Sequence, residues 1–206
     1  MSAGMMLLTI GAVLVYSGLM QRVLDRMALT DRQALLLIGL MLVGTFLPSL
    51  DLGAVTVNLG GAVIPLGICV YLLLRCGQME RWRTLLGTVL TGGAVYALSA
   101  LLPSEPERLP ADPMWLYGLC GGLIAWLTGR SRRGALICGV GGVVLADIVS
   151  AVVAWAQGAA FGLTLGGAGI ADATVISGVM SVLICELVGE VTERIVRRKR
   201  KGREAS

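Results

Sequence analysis

GALICGVGGVVLADIVSAVVAW, residues Gly134 to Trp155, is apolar throughout except for Ser150 and one carboxylate, Asp147. At a rise of about 1.5 Å per residue, a helix of this length spans the roughly 30 Å hydrocarbon core of a bilayer. The stretch therefore reads as a transmembrane helix, and its aspartate calls for a reason, since an acid at mid-bilayer costs roughly 2.5 to 3.5 kcal/mol.

Outward from it, comparable runs fall at approximately 3–20, 34–50, 52–74, 84–102, 113–129 and 164–188. With 206 residues, 56% of them hydrophobic, 29 glycines, 15% charged and a mean hydropathy of +0.82, the chain has the composition of a membrane protein. The expected fold is all-α, a polytopic transmembrane helix bundle of about seven spans. Residues 1–188 then form one transmembrane domain, and 189–206 a basic cytoplasmic tail. The first run lacks a basic leader and a small-residue cleavage site, so it reads as a retained span.

The charges test this segmentation independently. Arg22, Arg26 and Arg32 follow the first run, Arg75, Arg81 and Arg83 the third, and Arg130, Arg132 and Arg133 the fifth. Arg194, Arg197, Arg198, Lys199, Arg200, Lys201 and Arg203 follow the seventh. The alternate connections carry Asp51, then Glu105, Glu107, Arg108 and Asp112, then no charge from Trp155 to Phe161. Of 17 basic residues only Arg108 falls on that side, which places the N-terminus outside and the C-terminus in the cytoplasm, as in a multi-pass protein of the cell membrane.

Thr30 and Gln33 stand at capping-box spacing ahead of the second run, and Pro113 suits the first turn of the fifth. From Glu186 onward the tail has helical spacing, with Glu190 and Arg194 at i, i+4. Its basic cluster is placed to touch anionic lipid. The bilayer is the expected partner. The pI of 9.0 does not indicate nucleic acid, because most other basic residues sit singly in short loops. A homo-oligomer is left open.

The chain has no histidine, which excludes Ser-His-Asp triads and H-E-x-x-H metal sites. The five cysteines, Cys69, Cys76, Cys120, Cys138 and Cys185, form no C-x-x-C pair and read as buried thiols. No metal or cofactor is expected, and any enzymatic chemistry must use carboxylates.

Three polar side chains fall inside the apolar runs: Asn58, Asp147 and Asp172. Counted along straight helices they lie about 10, 12 and 12 Å from the outer ends of their spans, so they are expected to share a level. The sixth and seventh runs, joined by a short outer connection, should pack antiparallel and bring the two aspartates together. Two segments entering from that side, Val57 to Pro65 and Thr164 to Asp172, share a Leu-Gly-Gly-Ala core. Gly60, Gly61, Pro65, Gly166, Gly167 and Gly169 there permit close helix contact or a break in the helix.

The strings VTVNLGGAVIPLGICVYLLLR (55–75), GGVVLADIVSAV (141–152) and LTLGGAGIADATVISGVMSVL (163–183) resemble a family of prokaryotic integral membrane proteins catalogued as domain of unknown function 1614. The resemblance implies a membrane protein and brings no established activity. A looser likeness is to intramembrane aspartyl proteases of the presenilin and signal-peptide-peptidase kind, whose catalytic aspartates lie on the sixth and seventh spans, as Asp147 and Asp172 would here. Those enzymes have Gly before the second Asp and Tyr before the first, where this chain has Ala171 and Ala146, and it has no closing Pro-Ala-Leu motif.

The leading expectation is transport or permeation of a proton, a cation or a small cationic solute past Asn58, Asp147 and Asp172. The alternative is an intramembrane aspartyl protease with Asp147 and Asp172 catalytic. A third is a non-catalytic assembly or signalling component that pairs through its small-residue faces.

Overall fold

The computed structural model describes residues 13, 30–101, 113–128, 131–169 and 172–204, with side chains described as far as Thr192. Apart from Val13, the first apolar run lies outside these residues, as do the connection holding Glu105, Glu107, Arg108 and Asp112 and the side chains of the basic tail.

Six α-helices carry the described fold: α1 (Asp31–Phe46), α2 (Ile64–Arg75), α3 (Gln78–Leu101), α4 (Pro113–Thr128), α5 (Arg132–Ala156) and α6 (Ala173–Glu204). The first begins at the expected capping box, where Thr30 Oγ1 accepts from the Gln33 N–H and the Gln33 side chain accepts from the Thr30 N–H. It ends one residue short of Pro48, with Leu47 extended as a pre-proline residue prefers. α6 runs unbroken to Glu204, so the tail is helical. Among the described residues, three helices are long and apolar enough to cross a membrane: Gln78–Leu101, Arg132–Ala156 and the part of α6 from Ala173 to Thr192. Shorter apolar helices are Arg32–Phe46, Leu59–Arg75 and Trp115–Thr128.

Helices α3 to α6 pack on one another, and the small residues explain how closely. A Cβ on Gly139 would lie 2.9 Å from the Gly178 Cα, and one on Gly142 2.5 Å from the Thr91 side chain. Without a hydrophobic drive between helices in lipid, such backbone approach and interhelical hydrogen bonds are what hold a bundle. Ser177 Oγ donates to the Gly139 carbonyl (3.2 Å), and Ser181 Oγ to that of Gly118 (3.1 Å). Ser177, Ser181 and Thr91 are fully buried.

The structure departs from helices alone at the two glycine-rich segments. Leu50–Asp51 (β1), Val55–Val57 (β2) and Leu163–Leu165 (β3) form a small sheet in the order β1-β2-β3. β1 and β2 make an antiparallel hairpin, and β2 and β3 run parallel with Val55 opposite Leu163 and Val57 opposite Leu165. Gly53, at φ +81°, takes the first central position of the hairpin turn, where positive φ favours glycine. The helical part of the third run therefore starts at Leu59 rather than near 52, and that of the seventh at Ala173 rather than near 164. The β-branched Val55-Thr56-Val57 favours extended backbone, and Gly166 and Gly169 of the second segment adopt a left-handed conformation that a helix excludes.

The arginines near residues 75, 81 and 132–133 meet at the other end. Arg133 donates to the Arg75 carbonyl, Arg81 to those of Leu73 and Leu74, and Arg132 pairs with Glu186 at 2.6 Å. One end of the bundle is basic, and the sheet marks the opposite end.

Candidate functional site

The site is built where two strand-then-helix units lie side by side. After β2 the chain enters a π-helical turn, Leu59–Val63, which leads into α2; after β3 it makes a glycine turn and enters α6. Asn58 stands at the start of the first. Its Oδ1 accepts from the Gly61 N–H (3.0 Å), its Nδ2 donates to Ser49 Oγ (3.3 Å), and its backbone N–H donates to the Leu165 carbonyl (3.0 Å). Asn58 is 5% exposed, so its amide serves as the cap that starts this helix and ties it to β3.

Pro65 explains the wide turn. The Asn58 carbonyl accepts from both the Ala62 and the Val63 N–H, and the Ile64 N–H reaches the Leu59 carbonyl. Pro65 has no N–H to continue this wider pattern, and from there the helix is α.

The two glycine segments touch through their backbones. A Cβ on Gly61 would lie 2.4 Å from the Gly166 oxygen and 2.6 Å from that of Gly169; one on Gly60 would lie 2.5 Å from the Met41 oxygen. Gly166 (φ +68°) and Gly169 (φ +60°) are left-handed, and a Cβ on Gly169 would meet Thr45. Gly167 faces only the Thr164 side chain. The end of α1 thus joins the site through Gly44 and Thr45, which sequence reasoning missed. The adjacent small pair Gly44-Thr45 near a helix end was the available signal.

Asp172 caps α6. Its Oδ1 accepts from the Thr174 N–H (2.9 Å) and its Oδ2 from the Ala168 N–H (3.5 Å), a carboxylate at the positive end of a helix. Asp147 lies one turn beyond Val143 and Val144 on α5. Val144 packs with Ala62 and Leu165 of the glycine segments, and Val143 packs with Val95, Ala146 and Ala173. Asp147 is half-buried, close enough to Asp172 for the two charges to repel, and has no hydrogen-bond or ion-pair partner among the described residues. The Thr174 hydroxyl, fully buried in the first turn of α6, has none either. Buried polar groups are almost always paired, so such an orphan at this point is notable.

The structure thus brings the glycine segments together directly, with Asn58 bonded across them and Asp147 near Asp172. Among the described residues, no group of three or more Cys, Asp or Glu is placed to hold a metal ion. Four of the five cysteines are buried. At the basic end, beyond the apolar run, burial first and the charge of Glu80 second push the Cys76 thiol up, against the opposing pull of Arg133.

A bundle with membrane-length helices, small-residue packing and an acid inside one of those helices defines a helical membrane protein. Over residues 20–184 the chain matches the family described as protein of unknown function (DUF1614), and it belongs to that family. The match contains all three of the strings that carried the resemblance. No curated protein and no solved structure matches the chain, intramembrane aspartyl proteases included.

Proposed function

We propose that this protein carries a proton or a small cation across the membrane, with Asp147 as the group that binds and releases it. The observation that supports this reading most is the position of Asp147: a half-buried carboxylate on a membrane-length helix, without a partner, beside two interrupted helical segments. Intramembrane acids mark ion and proton pathways, and transporters place such sites at broken helices. Asp172 supplies a second carboxyl group, and the Thr174 hydroxyl an unused polar ligand. The span order drawn from the charges, with the sheet end outside and the basic end in the cytoplasm, belongs to the same proposal.

Proteolysis is less well supported. An aspartyl protease needs both carboxylates free to share a water and a proton, and Asp172 gives each oxygen to a backbone N–H.

The test is flux into proteoliposomes loaded with a pH-sensitive dye, with an imposed potential and Na+, K+ or a small organic cation outside. Asp147→Asn should abolish flux while leaving the thermal melt unchanged. Undiminished flux of every species in folded Asp147→Asn would sink the proposal.

A further inference from the structure

At the basic end a cavity of ≈ 300 Å³ opens between the start of α3, the end of α4 and the start of α5. Its volume is at the lower limit for ligand sites, which suits a small polar group. Glu80 and Arg83 line it together with Thr84 and Thr128. The Glu80 carboxylate accepts a hydrogen bond from Ser131 Oγ, the N-cap of α5, whose oxygen also accepts from the Gly134 N–H. Arg83 has no partner among the described residues. Thr84 is 3% exposed, and its hydroxyl makes no hydrogen bond among those residues. The cavity therefore holds one anion, one unpaired cation and one unused hydroxyl.

The surface beside it is that of a lipid-facing helix. Met79, Leu86 and Leu90 share the Arg83 stripe of α3 at i, i+7 and i+11 spacing and are 70%, 58% and 50% exposed. A tryptophan flanked by Arg81 and Arg83 at a helix start is the pattern found at headgroup level.

We propose that this cavity binds the headgroup of a zwitterionic phospholipid of the phosphatidylethanolamine type. The phosphate is held by the Arg83 guanidinium with the Thr84 hydroxyl, the ammonium is held by the Glu80 carboxylate, and the acyl chains run down the Leu86-Leu90 stripe that continues from Met79 and Arg83. An anionic lipid would meet Glu80 with like charge. A choline headgroup, with no N–H to donate, could not hydrogen-bond that carboxylate. This assignment is independent of the role of Asp147.

The test is native mass spectrometry of the full chain released from micelles with equimolar phosphatidylethanolamine, phosphatidylglycerol and phosphatidylcholine. Phosphatidylethanolamine should be retained at least about tenfold over the others. Arg83→Gln, an exposed change that spares the fold, should remove most of that retention, and Glu80→Gln should erase the preference over phosphatidylglycerol. Because Glu80 also supports the cap of α5, Thr84→Val serves as a second variant and should weaken retention with the melt unchanged. Equal retention of all three lipids, with Arg83→Gln and Thr84→Val silent, would reduce the cavity to unspecific lipid contact. Displacement of the lipid by an equal concentration of soluble phosphoethanolamine would overturn the membrane source.

Discussion

Gly61 and Gly166 carry the contact on which the candidate site depends. Neither can accept a methyl group, because what each Cβ would strike is backbone: the Gly166 oxygen at 2.4 Å in one case and the Ala62 nitrogen at 2.5 Å in the other. Overpacking a core costs about 1 to 3 kcal/mol when side chains can yield, and backbone yields less. Gly61→Ala should therefore lower stability by about 3 kcal/mol, and Gly166→Ala by at least as much, since its φ of +68° adds strain. Gly93 is the control. It sits in α3, exposed, with nothing within 4 Å of its Cβ, so Gly93→Ala should be neutral or gain up to about 1 kcal/mol. Thermal melts in one detergent would compare all three. Equal melting points for Gly61→Ala and Gly93→Ala would mean that the segments do not touch as described.

At the scale of the element, the two helix starts separate shape from charge. Asp172→Asn keeps an oxygen that can cap α6 and removes the charge, whereas Asp172→Ala removes both. The expected outcome is a loss of about 1 kcal/mol for Ala and a smaller one for Asn. Asn58→Ala should cost about 2 kcal/mol, because it also strands the buried Gly61 N–H. Urea-dependent unfolding in micelles reads both. A melt equally lowered by Asp172→Asn and Asp172→Ala would assign the effect to charge and not to capping. These caps could not be read in the sequence, because a cap is visible only once the helix start is known. Thr30 and Gln33 were legible as the start of α1 because the box is local. The starts at Leu59 and Ala173 depend on pairing between strands more than a hundred residues apart, and an apolar strand of three residues has no period to betray it. Depth counting failed in its premise for the same reason. It used a rise of about 1.5 Å per residue across 52–57 and 164–172, where the chain is partly extended and rises about 3.3 Å. The packing of the sixth run on the seventh was nevertheless legible, since consecutive runs joined by a short connection pack against each other. The part played by the end of α1 was not, because the small pair Gly44-Thr45 marks a place for close approach without naming residues 60 and 169 as what approaches.

At the scale of the whole molecule, the segregation of charge makes the span order testable without knowledge of the solute. The arginine clusters around residues 75–83 and 131–133 meet through Arg133 and the Arg75 carbonyl and through Glu80 and Ser131, and Arg132 pairs with Glu186 of α6 at the same end. The hairpin at Gly53 and the connection Gln157–Gly162 are joined at the other end by the pairing of β2 with β3. If the bundle crosses the membrane as proposed, these two ends face different compartments. Single cysteines at Gly53 and Gly158, in a background with the five native cysteines replaced by serine or alanine, should react with a membrane-impermeant maleimide applied to intact cells. Cysteines at Gly77 and Glu190 should react only after the membrane is opened. Both glycine positions in the first pair, and Gly77 in the second, have open space around the new side chain, so labelling is not limited by packing. Protection of all four positions in intact cells would mean that the sheet end is not outside. Labelling of Gly53→Cys and Gly77→Cys from the same side would place both ends of α2 in one compartment. That segment would then be re-entrant, and the interrupted glycine segments would turn back within the bilayer where the proposal has them lead across it.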